Sequence, residues 1–165
     1  MLRRFTLGSV VAALIVGYGS NLAASTGGSH NWQSYREPTS GVSVDIPRDL
    51  FPFDAGPSLV GTGHLYSSPD QSAFIAVYSM PRPEHGGNPV EDLVRNMELK
   101  SRAVVTYRRA TRRFFVASGF DGDSVFYDRC NFTGRSEKCV HIEYPKKEIR
   151  SWDKIVTRIS FSLRS

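Results

Sequence analysis

The chain has 165 residues, of which 40% are hydrophobic and 22% are charged, and its formal net charge is +5. A chain of this length can build one domain around its own hydrophobic core, which excludes a small scaffold held together by disulfides. The sequence shows no internal repeat and no sign of a second domain.

The N-terminus has the three-part pattern of a secretory signal peptide. Arg3 and Arg4 precede an apolar run over residues 7–16, and small residues follow up to Ala24. We predict a cleaved signal peptide over residues 1–24, because the apolar run is shorter than the roughly 20 residues that span a bilayer. The alternatives are an uncleaved anchor and a misassigned start, and the choice between general and twin-arginine export stays open.

The segment that follows is poor in hydrophobic periodicity. Residues 25–40 are rich in Gly, Ser and Thr, so we predict a flexible leader that contacts the domain through Trp32 and Tyr35. We expect the ordered domain to begin at residue 41 and to extend to residue 165.

The first half of the domain shows strand patterns. Apolar residues alternate with polar ones over residues 42–46 until Pro47, which is typical of a half-buried strand. A second strand is predicted over residues 63–67. A third, over residues 72–80, is rich in β-forming residues and is therefore placed centrally.

Two segments have helical signals. Asn88 can cap a helix with Pro89 at its first position and Glu91 two residues later, followed by apolar residues on one face for about three turns. Ser151 can cap a second helix, in which apolar residues recur at helical spacing over residues 152–159.

Four further β-rich runs lie between the two helices: residues 103–109, 113–120, 124–132 and 138–145. The turns between them are short, which implies antiparallel neighbours, because parallel strands need a long crossover. The predicted fold class is α+β, with a single antiparallel sheet of about six to seven strands flanked by helices.

The two cysteines flank one predicted hairpin. A two-residue turn at 134–135 places Thr133 opposite Ser136 and Cys130 opposite Cys139, with Cα atoms about 4.5 Å apart. We predict a structural disulfide, which persists in the oxidising compartments that an exported chain reaches. A redox pair or a metal site is the alternative for the two cysteines.

We expect the protein to be periplasmic or secreted, with no stable transmembrane segment after cleavage of the signal peptide.

Four stretches resemble a known group of proteins: GVSVDIPRDLF, GHLYSSPDQSAFIAVYSM, FFVASGFDGDSVFYDR and HIEYPKKEIRSWDKIVTRISFSL. They are similar to small exported proteins of alphaproteobacteria, and their order of strands and helices resembles the PsbP-like fold shared by PsbP and DcrB. The resemblance spans residues 32–163. It implies an accessory or binding protein rather than an enzyme, and no functional residue of the family is matched here.

The densest positive charge surrounds the turn after the fourth predicted strand. The arginines there are Arg108, Arg109, Arg112 and Arg113. Their guanidinium groups can form forked hydrogen bonds with phosphate or carboxylate groups, so they are a candidate binding site for anionic lipids or an acidic protein partner. The alternative is a solvated turn that protects sheet edges from aggregation. We expect no nucleic-acid partner, because the aromatic residues alternate as in a packed sheet.

The histidines lack the spacing of a metal site. His30, His64, His85 and His141 are scattered, and the Asp121–Asp123 turn lacks the remainder of a calcium loop. We therefore predict no cofactor, no metal and no catalytic residue. A small periplasmic hydrolase or metal-dependent enzyme would require a histidine in one pocket with a carboxylate or hydroxyl group.

Adjacent aromatic residues on strands point to opposite faces of the sheet. Phe114 and Phe115 form one such pair, and Phe126 and Tyr127 form another. One member of each pair must lie away from the main core, where it can line a groove.

Taken together, these features of the sequence favour an exported, non-enzymatic binding or accessory protein of the cell envelope, whose partner is an envelope protein or an anionic ligand.

Overall fold

The computed structural model describes residues 29–82 and 103–164. The predicted signal peptide at 1–24, the helix predicted from Asn88 and His85 lie outside these residues. None of the helices within them has the length and apolar character needed to cross a membrane.

The described residues form two antiparallel sheets and one α-helix. The strands are β1 (Trp32–Arg36), β2 (Ser43–Pro47), β3 (Phe53–Pro57), β4 (Thr62–Ser67), β5 (Phe74–Pro81), β6 (Ala103–Ala110), β7 (Phe114–Asp121), β8 (Ser124–Thr133) and β9 (Ser136–Pro145). A short 3-10 helix at Lys146–Glu148 leads into helix α1 (Ile149–Ser162). The seven-stranded sheet has the order β3-β4-β5-β9-β8-β7-β6, and β1 pairs with β2 in a separate ribbon.

The seven predicted strands all exist, but two more were not predicted. β1 lies where we expected a flexible leader, so that prediction is wrong for Trp32–Arg36. β3 is an exposed edge strand of the main sheet. β2 pairs with β1 rather than joining the predicted single sheet. β5 is an interior strand, between β4 and β9, as predicted.

Helix α1 covers one face of the main sheet, which we call the helix face. Trp152, Ile155, Val156 and Ile159 recur every three or four residues, so one stripe of the helix is apolar and buried. This stripe packs with the inward residues of β2, β5 and β9 into the main core. The sequence-predicted cap is wrong, because the helix begins earlier and Ser151 donates a hydrogen bond to the Glu148 carbonyl at 2.8 Å.

The opposite side of the sheet, called the second face, carries its own small cluster. Tyr78, Phe115, Cys130 and Cys139 are buried there. The described helix does not lie on this face, so the prediction of helices flanking the sheet is shown for one face only.

The β8–β9 hairpin has the predicted register. Gly134 takes a φ of 60° in the two-residue turn, and Thr133 pairs with Ser136. Cys130 therefore lies opposite Cys139, and the two form a disulfide with Cα atoms 4.1 Å apart. The predicted disulfide is confirmed.

Candidate binding groove

A groove of about 410 Å³ runs along the helix face, between α1 and the strands β6, β7 and β8. It exists because α1 packs over β2, β9 and β8. Its main lining residues are Tyr107, Arg109, Phe114, Tyr127, Arg129 and Phe161. We call this the arginine groove.

Strand alternation brings the polar and aromatic walls of the arginine groove together. Phe114 pairs with Asn131 across β7 and β8, so Phe114 lies on the same face as Arg129, two residues from Asn131. Tyr127 reaches that face by the same alternation. From the helix, Phe161 adds a ring that is 78% exposed.

Arg129 is the best-positioned cation of the groove. Its guanidinium carbon lies 5.0 Å from the centre of the Phe114 ring and 5.9 Å from that of Phe161. It donates hydrogen bonds to the Ser160 hydroxyl at 3.1 Å and to the Asn131 side-chain oxygen at 3.3 Å. Both acceptors are neutral, so the hydrogen bonds orient the guanidinium group without cancelling its charge.

Arg109 approaches the same aromatic ring from β6. Its guanidinium carbon lies 5.8 Å from the Phe114 ring centre. Within residues 29–82 and 103–164, no carboxylate forms an ion pair with Arg109 or Arg129. Asp153 is the acidic residue among those that line the groove. Two uncompensated guanidinium groups beside apolar rings can accept an anion that carries an apolar part.

The structure separates the four arginines that the sequence grouped. All four are exposed, but Arg108 pairs with Ala117 and Arg109 with Val116, so the two point to opposite faces. Arg112 and Arg113 belong to the β6–β7 turn. Among the predicted set, Arg109 lines the groove.

Sequence analysis missed Arg129. The available signal was its position two residues after Tyr127 on a strand, which puts both side chains on one face. The aromatic prediction is correct in its alternation: Phe115 lies in the second-face cluster, whereas Phe114 lines the groove. The groove, however, lies beside the helix rather than on the face away from the main core.

Each described histidine has its own carboxylate neighbour, at a separate place. His30 lies 2.6 Å from Asp49, and His64 lies 3.8 Å from Asp54. His64 also contacts the Tyr35 hydroxyl at 3.4 Å, but burial first, and then nearby Tyr66 and Glu37, raise the pKa of Tyr35 to about 12. That hydroxyl is therefore a poor nucleophile at neutral pH.

His141 meets the geometric condition that we set for an enzyme, because it lines one cavity together with Asp128 and Glu143. Its Nδ1 lies 2.8 Å from Asp128 Oδ1 and its Nε2 lies 3.2 Å from Glu143 Oε1. Burial alone would lower the pKa of His141, but the charges and hydrogen bonds of Asp128 and Glu143 outweigh it and raise the pKa to about 10. An imidazolium with both N–H groups engaged has no lone pair for a base or for a metal.

The described residues contain one compact trio of potential metal ligands, Cys130, Glu137 and Cys139. Both sulfur atoms belong to the disulfide, and thiolates rather than disulfides bind metals. The trio therefore does not fit a metal ion in this state.

No protein-family model and no curated protein matches the chain. Among solved structures, the chain is similar to the solution structure of cyanobacterial PsbP (CyanoP) from Synechocystis. The TM-score is 0.64 at 9% sequence identity, and the match covers 90% of this chain and 98% of that one. Similarity at this identity shows the fold alone. The sequence-based resemblance is thus confirmed at the level of architecture: the chain has the PsbP-like fold.

Proposed function

We propose that the chain is an exported, non-enzymatic binding or accessory protein of the cell envelope. Its ligand binds in the arginine groove and consists of an anionic group attached to an apolar body. The observation that carries the proposal is Arg129, which lies beside Phe114 and Phe161 with neutral hydrogen-bond partners. Phospholipid headgroups with attached acyl chains have this combination of charge and apolar surface.

Two observations support export. Residues 1–24 have the pattern of a signal peptide, and the Cys130–Cys139 disulfide is typical of oxidising compartments. A binding role rather than catalysis is supported by His141, whose ring nitrogens are both engaged by carboxylates.

Fractionation of producing cells, with mass spectrometry of the product, tests export. It should recover a periplasmic or secreted chain that begins after Ala24 with the disulfide formed, whereas an intact cytosolic chain with two thiols would refute it.

The groove is tested by titration with two short phospholipids that differ in headgroup charge. We expect dihexanoyl phosphatidylglycerol, below its micellar concentration, to bind at least about 10-fold more tightly than dihexanoyl phosphatidylcholine. One hydrogen bond to a charged group contributes about 1.5–3 kcal/mol, so Arg129→Gln should weaken the anionic lipid about 10-fold or more.

Arg108 and Arg109 offer a matched pair of variants, because they are neighbours on β6 that point to opposite faces. Arg109→Ser should weaken binding of the phosphatidylglycerol, whereas Arg108→Ser should leave it unchanged. Equal losses in the two variants, or equal binding of the two lipids, would show that the groove does not recognise the anion.

A further inference from the structure

A second cavity, of about 450 Å³, lies on the second face of the main sheet, away from the arginine groove. Its walls are apolar and come from Leu65, Phe74, Ala76 and Tyr78 on β4 and β5, and from the turn before β4. At that turn Leu59 is 93% exposed, which leaves an apolar rim at the entrance. The floor holds Asp128, His141 and Glu143. We call this the acid-floored cavity.

The sheet register directs the three polar side chains of the floor to the same side. Asp128 on β8 and Ala76 on β5 both pair with His141 on β9, and opposite residues in an antiparallel pair share a face. Glu143 lies two residues after His141, so it joins them. The cavity therefore combines apolar walls with a floor of two carboxylates and one imidazole.

Asp128 has an unsatisfied oxygen. The residue is 4% exposed, and its Oδ1 accepts the hydrogen bond from His141 Nδ1 at 2.8 Å. Its Oδ2 is buried without a hydrogen-bond partner in the part of the chain that the structure describes. Buried acceptors are nearly always paired, so this oxygen indicates a missing donor.

The charges of the floor do not cancel. Glu143 accepts from His141 Nε2 at 3.2 Å, so a single imidazolium is shared by two carboxylates. One negative charge is left next to the apolar walls. A bound cation would balance it, and a donor on that cation would reach Asp128 Oδ2 once the carboxylate turns toward the cavity, because this oxygen has no accessible surface in the free chain.

The geometry points to an organic cation rather than a metal ion. Asp128 and Glu143 bind opposite nitrogens of one ring, so their oxygens cannot converge with an imidazole nitrogen on one ion. A primary ammonium group, in contrast, has three N–H donors and packs against aromatic rings such as those of Phe74 and Tyr78.

We propose that the acid-floored cavity is a second binding site, which takes a primary ammonium group attached to an apolar body. The ammonium group balances the excess negative charge of Asp128 and Glu143, and a small rotation of the Asp128 carboxylate brings the otherwise buried Oδ2 to one of its N–H donors. The apolar body lies against Leu65, Phe74 and Ala76. This site is separate from the arginine groove and does not depend on the function proposed for that groove.

The test is calorimetric titration of the full chain, at pH 7, with three probes that share one aromatic ring: 2-phenylethylammonium, 2-phenylethanol and phenylacetate. We expect the ammonium probe to bind at a ratio of one to one and at least about 10-fold more tightly than the alcohol. This is the change expected when a charged donor replaces a neutral one. Phenylacetate should not bind, because its charge is repelled by the carboxylates.

Two variants locate the ammonium probe. Asp128→Asn keeps the shape of the side chain but removes its charge, and should weaken the ammonium probe about 10-fold or more. Ala76→Leu fills the cavity and leaves the three residues of the polar floor unchanged, so it should abolish binding even if Asp128→Asn fails to fold. Arg109→Ser, in the arginine groove, is the control and should bind the ammonium probe like the unmodified chain.

Three results would overturn the proposal: no binding of the ammonium probe at millimolar concentration, equal affinity for the ammonium and alcohol probes, or full binding by the Ala76→Leu variant.

Discussion

Arg129 on β8 and Ser160 on α1 are joined by a hydrogen bond of 3.1 Å, which ties the sheet to the helix at the base of the arginine groove. The Ser160 hydroxyl also meets the Tyr127 hydroxyl at 2.7 Å. A hydroxyl group has one donor and two acceptor sites, so Ser160 can serve both partners at once. Ser160 therefore both orients Arg129 in the arginine groove and links helix α1 to the sheet.

Ser160→Ala should weaken both the fold and the groove. The change leaves the Arg129 guanidinium and the half-buried Tyr127 hydroxyl without their shared partner, so the free energy of unfolding should fall by about 1–2 kcal/mol. Urea denaturation measures this fall, and titration with dihexanoyl phosphatidylglycerol should show weaker binding. Ser151→Ala, at an exposed position of the same helix, is the control and should change stability by less than about 0.5 kcal/mol. Equal stability of the two variants would contradict the shared role of Ser160.

The predicted strands were found where apolar residues alternate, and the missed strands lack that pattern. In β1, Trp32 and Tyr35 are the partly buried residues, and their spacing of three does not match a strand period. In β3 nearly every residue is exposed, so no alternation of apolar and polar residues marks the strand. The segment also contains Gly56 and Pro57, which are uncommon in strands. Both strands are specified by pairing with neighbours rather than by their own pattern.

The groove was only partly predictable for a related reason. The alternation of Phe114 and Phe115 follows from the local chain, and so does the exposure of Arg109. The contact between Arg129 and Ser160, however, joins residues 31 positions apart and depends on where α1 crosses the sheet. No periodicity in the sequence encodes that crossing. The cavity over Asp128 likewise depends on the order of β5, β9 and β8 in the sheet.

Removal of the disulfide should destabilise the domain without changing its register. The bridge closes a short loop, with a sequence separation of 9, so the chain-entropy model gives a loss of about 2–3 kcal/mol. Replacement of both Cys130 and Cys139 by Ala avoids buried polar groups and should produce this loss in urea denaturation. Backbone contacts between Thr133 and Ser136 in nuclear magnetic resonance spectra should persist. A reducing agent should lower the stability of the unmodified chain by a similar amount and leave the double variant unaffected.

His141 should make the stability of the domain decrease at alkaline pH. The folded-state pKa is raised to about 10, from an ordinary value of 6.5, so the folded chain holds this proton when the unfolded chain has lost it. The stabilisation is complete below about pH 6.5 and is lost as the pH rises through about 10. Between pH 7.5 and 9.5 the free energy of unfolding should fall by up to about 1.4 kcal/mol per pH unit.

The variant His141→Gln separates this effect from other titrations. It keeps a hydrogen-bonding group between Asp128 and Glu143 but removes the proton that titrates, so the slope between pH 7.5 and 9.5 should largely disappear. Tyr35, with its pKa raised to about 12, stays protonated in the folded chain over this range. An unchanged slope in His141→Gln would mean that the proton is bound elsewhere.

Gly63 on β4 should be irreplaceable for steric reasons. A Cβ atom at this position would lie 2.0 Å from the Val77 carbonyl oxygen and 2.6 Å from the Tyr78 Cα atom. These are backbone atoms of β5, so no rotamer change relieves the clash, and β4 would have to move away from the strand it pairs with. Gly63→Ala should lower the free energy of unfolding by about 2–3 kcal/mol in urea denaturation.

The matched control for this change is Gly134→Asn in the β8–β9 turn. Gly134 has a φ of 60°, which Asn tolerates, and a Cβ atom at this position would meet no described atom within 4 Å. This variant should remain within about 1 kcal/mol of the unmodified chain. Because β4 carries Leu65 and β5 carries Ala76, Gly63→Ala should also disturb the walls of the acid-floored cavity and weaken 2-phenylethylammonium binding, which Gly134→Asn should not. Similar stabilities of the two variants would show that β4 does not depend on its close approach to β5.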